Sequence, residues 1–241
     1  DIFRGYLLKK RDSGCGPDGI PYSFWTFGPE IFTESIFEVY LALKLGSSPA
    51  DCFNDAKIVC PPKGKEDGDF SSNFTRTPGK TRPISLSNTD NKAVSAMASF
   101  PLSQVAQATV ADFQTGGVKG RNMGNNIVNL EAKAISYMLK QFPNSGIFAL
   151  DQAAAFPTIA RDFIHWILKR MEVPRRIRRL IRSLYTGGRS GISFGGRIYH
   201  HFISGSGVKQ GDPSAMVIFV LCFDPILRWM NSLLSLVGTC I

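Results

Sequence analysis

Histidine, cysteine and long apolar runs are all scarce in this 241-residue chain, and each scarcity excludes a class of protein. The five cysteines, Cys15, Cys52, Cys60, Cys222 and Cys240, are odd in number, scattered and never spaced as CxxC. That excludes a disulfide framework and a zinc knuckle and fits a reducing compartment. The three histidines, His165, His200 and His201, have no evident nucleophile or metal partner, and neither GxSxG nor HExxH occurs. The most apolar run, residues 215–223, stops at Asp224, well short of the roughly 20 apolar residues of a bilayer crossing. It reads as a buried helix, and no membrane role is expected. No signal-like apolar stretch opens the chain and there is no initiator methionine, so its start reads as internal to a longer frame. The expected setting is intracellular, nucleus or cytoplasm, and not secreted.

What is present suits a folded domain. With 44% apolar residues, disorder and collagen-like structure are excluded. A chain of this size buries roughly 70% of its extended surface, enough for one sizeable core or two modest lobes. The formal net charge of +9 identifies no partner by itself, but its distribution is uneven. Residues 169–182, KRMEVPRRIRRLIR, hold seven basic residues and one Glu. Ile177, Leu180 and Ile181 form an apolar stripe between the arginines, as in a helix lying on a core with a basic outer face. Such a face meets nucleic acid, an acidic protein or membrane surface, or solvent alone.

Periodicity predicts a helix over 29–44, a strand in AKIVCPPK, and then a long polar loop over 63–80 that is mobile unless a ligand or partner orders it. TRPISLS reads as a strand. The next periodic segment, 90–109, is expected to be helical but broken near Pro101, and a further helix is expected over 123–140. Residues 147–150 look like a central strand with Asp151 at its carboxyl end. A helix over 160–171 would bury Phe163, Ile164, Ile167, Leu168 and Met171, and Pro174 would restart a basic helix. Two strand-like runs around Gly195 and Gly196 predict a hairpin, and the chain is helical from Ser214 with a bend near Pro225.

Several residues could carry chemistry. A strand-end Asp151 followed by small residues could hold a metal ion beside a phosphate, or simply cap the next turn; it has no adjacent carboxylate. The glycines of GGVKGR and GSGVKQGDP could expose backbone donors to anions beside Lys119, Arg121 and Lys209, or form tight turns. Asp212 could cap the helix after Pro213.

In their order these segments resemble the reverse transcriptase domain of non-LTR retrotransposons, over nearly the whole chain. Gly16-Pro17-Asp18-Gly19-Ile20 is similar to that family's early GPDGI motif, IVCPPK to its fingers strand with a basic end, and Arg82-Pro83-Ile84-Ser85-Leu86 to its RPISL motif. FQTGGVKGR resembles its glutamine, glycine and GR segment, LDQAAAF its first palm motif, and GVKQGDPSAMVIFVLCFDPILRW its GxxQGDP motif with the following helix.

The resemblance implies an α/β (α+β) fold with fingers over 1–145 and a partial palm over 146–241 of a right-hand polymerase. It implies that Asp151 is a catalytic ligand for Mg²⁺ (or Mn²⁺) and Phe156 an aromatic gate that excludes a ribose 2′-hydroxyl. Lys63 and Arg82 would contact the triphosphate, and Gln210 and Gly211 would position template and nucleotide. Lys119, Gly120, Arg121 and Lys209, with Arg175, Arg176 and Arg179 of the basic helix, would lie along template or primer. The partners implied are an RNA template, a DNA primer or target DNA, and deoxynucleoside triphosphates; oligomeric state is left open. Ala153 and Ala154 depart from the polar residues often found between the metal aspartate and the gate. The family's aromatic-x-Asp-Asp motif and thumb do not occur in these 241 residues. The reading is therefore a polymerase fragment whose isolated chain is inactive, the alternative being a nucleic-acid-binding fragment or retroelement relic.

Overall fold

The computed structural model describes residues 5–7, 14–66, 75–140 and 149–234. It is a mixed helix and sheet fold. Residues 5–7 are helical, and after them come α1 (Tyr22–Phe27) and α2 (Glu30–Leu45), followed by the strands β1 (Ala56–Val59) and β2 (Ile84–Ser87). Then come α3 (Thr89–Thr109), α4 (Gly124–Leu139), the single turn α5 (Ala155–Thr158), α6 (Arg161–Arg170) and α7 (Arg175–Leu184). A hairpin of β3 (Arg189–Phe194) and β4 (Arg197–Ile203) precedes α8 (Ala215–Leu234).

The four strands form one sheet in the order β2-β1-β3-β4, with β1 antiparallel to β2 and parallel to β3. The β3–β4 hairpin closes at Phe194↔Arg197 through Gly195 and Gly196, at φ +56° and +77°. Positive φ at both central residues is what a two-residue turn needs to match strand twist, so the Gly-Gly pair carries out the predicted hairpin.

α3 lies at the centre of the helices, packed by α2, α7 and α8. Its small residues Ala93, Ser95, Ala96, Ala98 and Ala106 are buried, which lets neighbours approach its axis closely. The sequence pattern predicts a break near Pro101, and the structure corrects it: α3 runs through the proline. An interior proline costs about 3 kcal/mol or more through a lost hydrogen bond and a steric clash. Val94 and Ala98 before it and Leu102 and Ala106 after it are buried, and that burial holds both halves in the helix.

The stripes read from the sequence face the core. Ile164, Ile167 and Leu168 of α6, Ile177, Leu180 and Ile181 of α7, and Val217, Ile218, Val220 and Leu221 of α8 are all buried. Among the described residues α8 is long and apolar enough to cross a membrane by length and composition, yet its first half is core and the buried Asp224 carboxylate accepts from Arg228 Nε at 2.7 Å. α2 ends at Gly46, φ +107°, whose N–H donates to Ala42 and Leu43, while Arg179 Nη1 donates to the Leu45 carbonyl. These contacts satisfy orphan carbonyls, and Arg179 also sets a cation at the negative end of the helix.

Two expectations meet the edge of the described region. The loop over 63–80 includes residues 67–74, which lie outside it. Of the expected central strand, Ile147 and Phe148 lie outside it, while Ala149, Leu150 and Asp151 are not in a strand. A strand exists only as a ladder partner, and among the described residues none pairs with this segment.

Candidate nucleotide and nucleic-acid site

The loop from Gly207 to Ser214 joins the predicted site residues. Gly207, φ +73°, packs where a Cβ would stand 2.4 Å from Pro157 Cα, and its N–H donates to the Ile159 carbonyl at 2.7 Å. Only glycine fits there. Val208 is core, and its N–H donates to the Phe156 carbonyl at 3.0 Å. Two residues on, the Ser85 N–H of β2 donates to the Gln210 carbonyl at 2.8 Å, and Gly211, φ +105°, lies where a Cβ would be 2.9 Å from Ser85 O. Asp212 does not cap α8 itself but closes the turn before it: one carboxylate oxygen accepts the Ser214 N–H at 2.8 Å, the Ser214 hydroxyl at 2.7 Å and the buried Ser95 hydroxyl of α3 at 2.6 Å.

This loop ties the aromatic candidate to the cationic ones. Phe156 sits on α5, half-buried, with its ring 5.1 Å from that of Phe219 on α8. Ala154, just before it, has φ +53°, a left-handed conformation costing an L-residue about 1–2 kcal/mol. Lys63 and Arg82 stand on adjacent arms beyond β1 and β2, where Pro62 bridges Thr81 and the Arg82 N–H donates to Pro61 at 2.8 Å. Lys63 Nζ donates to the Gly79 carbonyl at 2.8 Å. The Arg82 side chain is exposed and makes no hydrogen bond or ion pair among the described residues, so its guanidinium is available to an anion. Asp151 is also exposed.

The remaining cations divide into free and occupied. Arg175 and Arg176 are exposed on α7, whereas Arg179 is engaged with α2. Lys119 is exposed beside Gly120, φ +83°, but Arg121 turns inward. Its guanidinium donates to the carbonyls of Ala111, Gln114 and Val110 and lies 3.6 Å from the Asp112 carboxylate. Lys209 is half-buried, its ammonium donating to the Asn54 carbonyl at 2.8 Å. Burial lowers its pKa, against the pull of Asp212.

Sequence reasoning missed the polar centre beneath this loop. Asn54, 2% exposed, donates to the carbonyls of Ser183 and Thr186 at 2.7 Å each and accepts from Asn91 Nδ2 at 2.9 Å. It thereby joins β1, α3, the end of α7 and the Lys209 loop. A lone asparagine before a strand carries no signal of this role. Lys92 is likewise buried, donating to the Gly14 carbonyl at 2.7 Å, and burial lowers its pKa. The GPDGI segment docks on the start of α3: the Asp18 N–H donates to Asn88 Oδ1 and the Thr89 hydroxyl to the Ile20 carbonyl. Asp90 beside it has its pKa pushed up to about 6, chiefly by burial, with Asp18 adding repulsion and the Asn91 N–H opposing.

Residues 63–237 match the family model described as reverse transcriptase (RNA-dependent DNA polymerase). Over 240 residues, 98% of this chain, it is 24% identical to the Transposon TX1 uncharacterized 149 kDa protein of Xenopus laevis, and it spans 17% of that protein. Over 93 residues, 39% of this chain, it is 30% identical to the Retrovirus-related Pol polyprotein from type-2 retrotransposable element R2DM of Drosophila melanogaster, spanning 9% of it. The chain thus covers a small part of the length of both relatives.

Proposed function

The chain belongs to the reverse transcriptase (RNA-dependent DNA polymerase) family, and from that membership we propose that it forms the nucleotide- and template-contacting part of an RNA-directed DNA polymerase that extends a DNA primer. The observation that carries this reading is the Gly207–Ser214 loop, bonded on one side to Phe156 and on the other to the strand that follows Arg82. In this reading Arg82 and Lys63 hold the triphosphate, since cations offset phosphate charge. Phe156, backed by Phe219, walls the sugar, and Gln210 and Gly211 position the base pair. Lys119, Gly120 and Lys209, with Arg175 and Arg176, line the template or primer. The residues over 1–145 serve as fingers and those over 146–241 as part of a palm. The setting we propose is intracellular, since the scattered cysteines of the sequence signal no disulfide framework.

Reverse transcriptases generally use a divalent metal, Mg²⁺ or Mn²⁺. Among the described residues no three His, Cys, Asp or Glu side chains come together to hold one. An exposed Asp151 alone does not fit a two-metal centre, in which several anionic ligands surround the ions. The chemistry assigned to this chain is therefore binding and positioning, with Asp151 a single prospective ligand. That lone carboxylate favours a second reading, in which the 241 residues bind nucleic acid without polymerising.

Primer extension on an RNA template with Mg²⁺, by the chain and by its Asp151→Asn variant, tests both. Incorporation that disappears in the variant supports catalysis by this chain. No incorporation by either, with RNA binding that weakens as salt rises, supports the binding reading. No salt-dependent RNA binding at all refutes both.

A further inference from the structure

Between the turn at 111–115 and the first three turns of α4 lies a concavity of about 370 Å³, within the range of small-ligand sites. Its lining is rich in amides. Asn125 and Asn129 are one turn apart on α4, with Asn126 beside them, and none of the three side chains makes a hydrogen bond among the described residues. Facing them are the half-buried Phe113 and Thr115, whose hydroxyl is buried without a partner. A buried hydroxyl left unpaired is disfavoured unless a ligand or water satisfies it. Among the described residues, α4 has no buried residue.

The chemistry of the lining narrows the ligand. A carboxamide offers a donor and an acceptor in one plane, which matches the paired acceptor and donor on an adenine edge. An aromatic ring at the side offers a stacking surface for a base. Asp112, whose exposed carboxylate is paired with Arg121, and Lys133 complete the lining, so charges of both signs border the amides. The concavity adjoins the proposed template path, because Arg121, next in the chain to Lys119 and Gly120, ties that segment to the Ala111 and Gln114 carbonyls of the turn that forms its wall.

We propose that this concavity holds one unpaired base of the single-stranded RNA template, adenine before the other bases. The inference rests on the template-binding reading above. It adds a base-contacting site to the phosphate contacts of Lys119, Arg175 and Arg176.

The test is fluorescence anisotropy of the 241-residue chain with labelled single-stranded RNAs of roughly 12 nucleotides, a length within known single-strand site sizes. An all-adenine strand is compared with one carrying abasic central positions. The double variant Asn125→Ala/Asn129→Ala replaces two exposed residues by the best helix former, so loss of α4 does not explain lost affinity. The variant is expected to bind the adenine strand roughly 10-fold more weakly, the scale of one good base contact, with an unchanged salt slope and an unchanged affinity for the abasic strand. Wild-type affinity for the adenine strand, or equal losses on both strands, overturns the inference and leaves the template reading standing. If the unaltered chain binds neither RNA, the template reading itself falls, and this inference with it.

Discussion

Arg121 separates a structural reading of the GR segment from a nucleic-acid one. The residue resembles a template contact in sequence, yet in the fold its side chain is only 18% exposed and donates to three carbonyls. Val110 is the C-cap of α3, and its carbonyl has no partner within the helix; the Ala111 carbonyl beyond it also accepts the Gln114 N–H at 3.1 Å. A hydrogen bond from a charged donor contributes about 1.5–3 kcal/mol, but three from one side chain are not additive, and water replaces some of them. Loss of the group in Arg121→Ala should therefore cost about 2–4 kcal/mol. The Asp112 ion pair adds little, because that carboxylate is fully exposed. Arg121→Lys keeps the charge but not the planar fork, and should cost about half as much. For a chain of this size each kcal/mol shifts the melting midpoint by about 2–4 °C. The assays are urea and thermal denaturation followed by circular dichroism, alongside RNA affinity across salt. The salt slope should be unchanged in Arg121→Lys, whereas Lys119→Ala should lower it by about 0.7 with stability intact. Unaltered stability of Arg121→Ala together with a slope reduced by one phosphate contact would falsify the assignment.

Three further outcomes follow from the same geometry. Asp90 has a folded-state pKa raised to about 6 from 3.8, so the folded chain binds the extra proton and stability falls as pH rises between those values. Asp90→Asn should raise the urea midpoint at pH 7 by an amount equivalent to about 1–3 kcal/mol and leave it unchanged near pH 3; a constant difference at all pH values would remove burial as the cause. Gly211→Ala should lower the melting midpoint more than Gly46→Ala. Both have φ near +105°, but a Cβ at Gly46 meets nothing closer than 3.7 Å while one at Gly211 meets Ser85 O at 2.9 Å; equal effects would show that the contact with β2 is immaterial. Asn54→Ala strands the carbonyls of Ser183 and Thr186 and the Asn91 amide, and should cost about 3–5 kcal/mol in urea denaturation; a cost below about 1 kcal/mol would mean that water takes over those bonds.

Much of the fold is legible where one physical signal dominates. The Gly195-Gly196 pair allows both residues of a tight turn a positive φ, and the stripes of α6 and α7 repeat at helical spacing, so hairpin and buried faces agree with expectation. Pro101 misleads because its penalty is local, while the burial that offsets it comes from three neighbouring helices. Leu150 and the Asp151 that follows it mislead in the opposite sense, for Leu150 is not in a strand. Their apolar-then-acidic pattern looks like a strand end, but strand formation depends on a partner that the pattern cannot supply.

The site divides in the same way. Motif order alone identifies the family and nominates Lys63, Arg82, Asp151, Phe156, Gln210 and Gly211, because backbone-forced glycines, a fixed aromatic and paired cations leave marks at set places in the chain. What those residues touch is decided only in three dimensions. Arg121 and Arg179 carry the same charge as Arg82 and Arg175, yet they bind carbonyls at helix ends while the latter face solvent. Asn54 becomes central solely because four elements meet at this residue, three through its side-chain and main-chain hydrogen bonds and β1 through the chain itself. Charge and hydrogen-bonding capacity belong to a residue type, but whether a group is satisfied internally or left for a ligand depends on which distant backbone atoms the fold brings within about 3 Å of it.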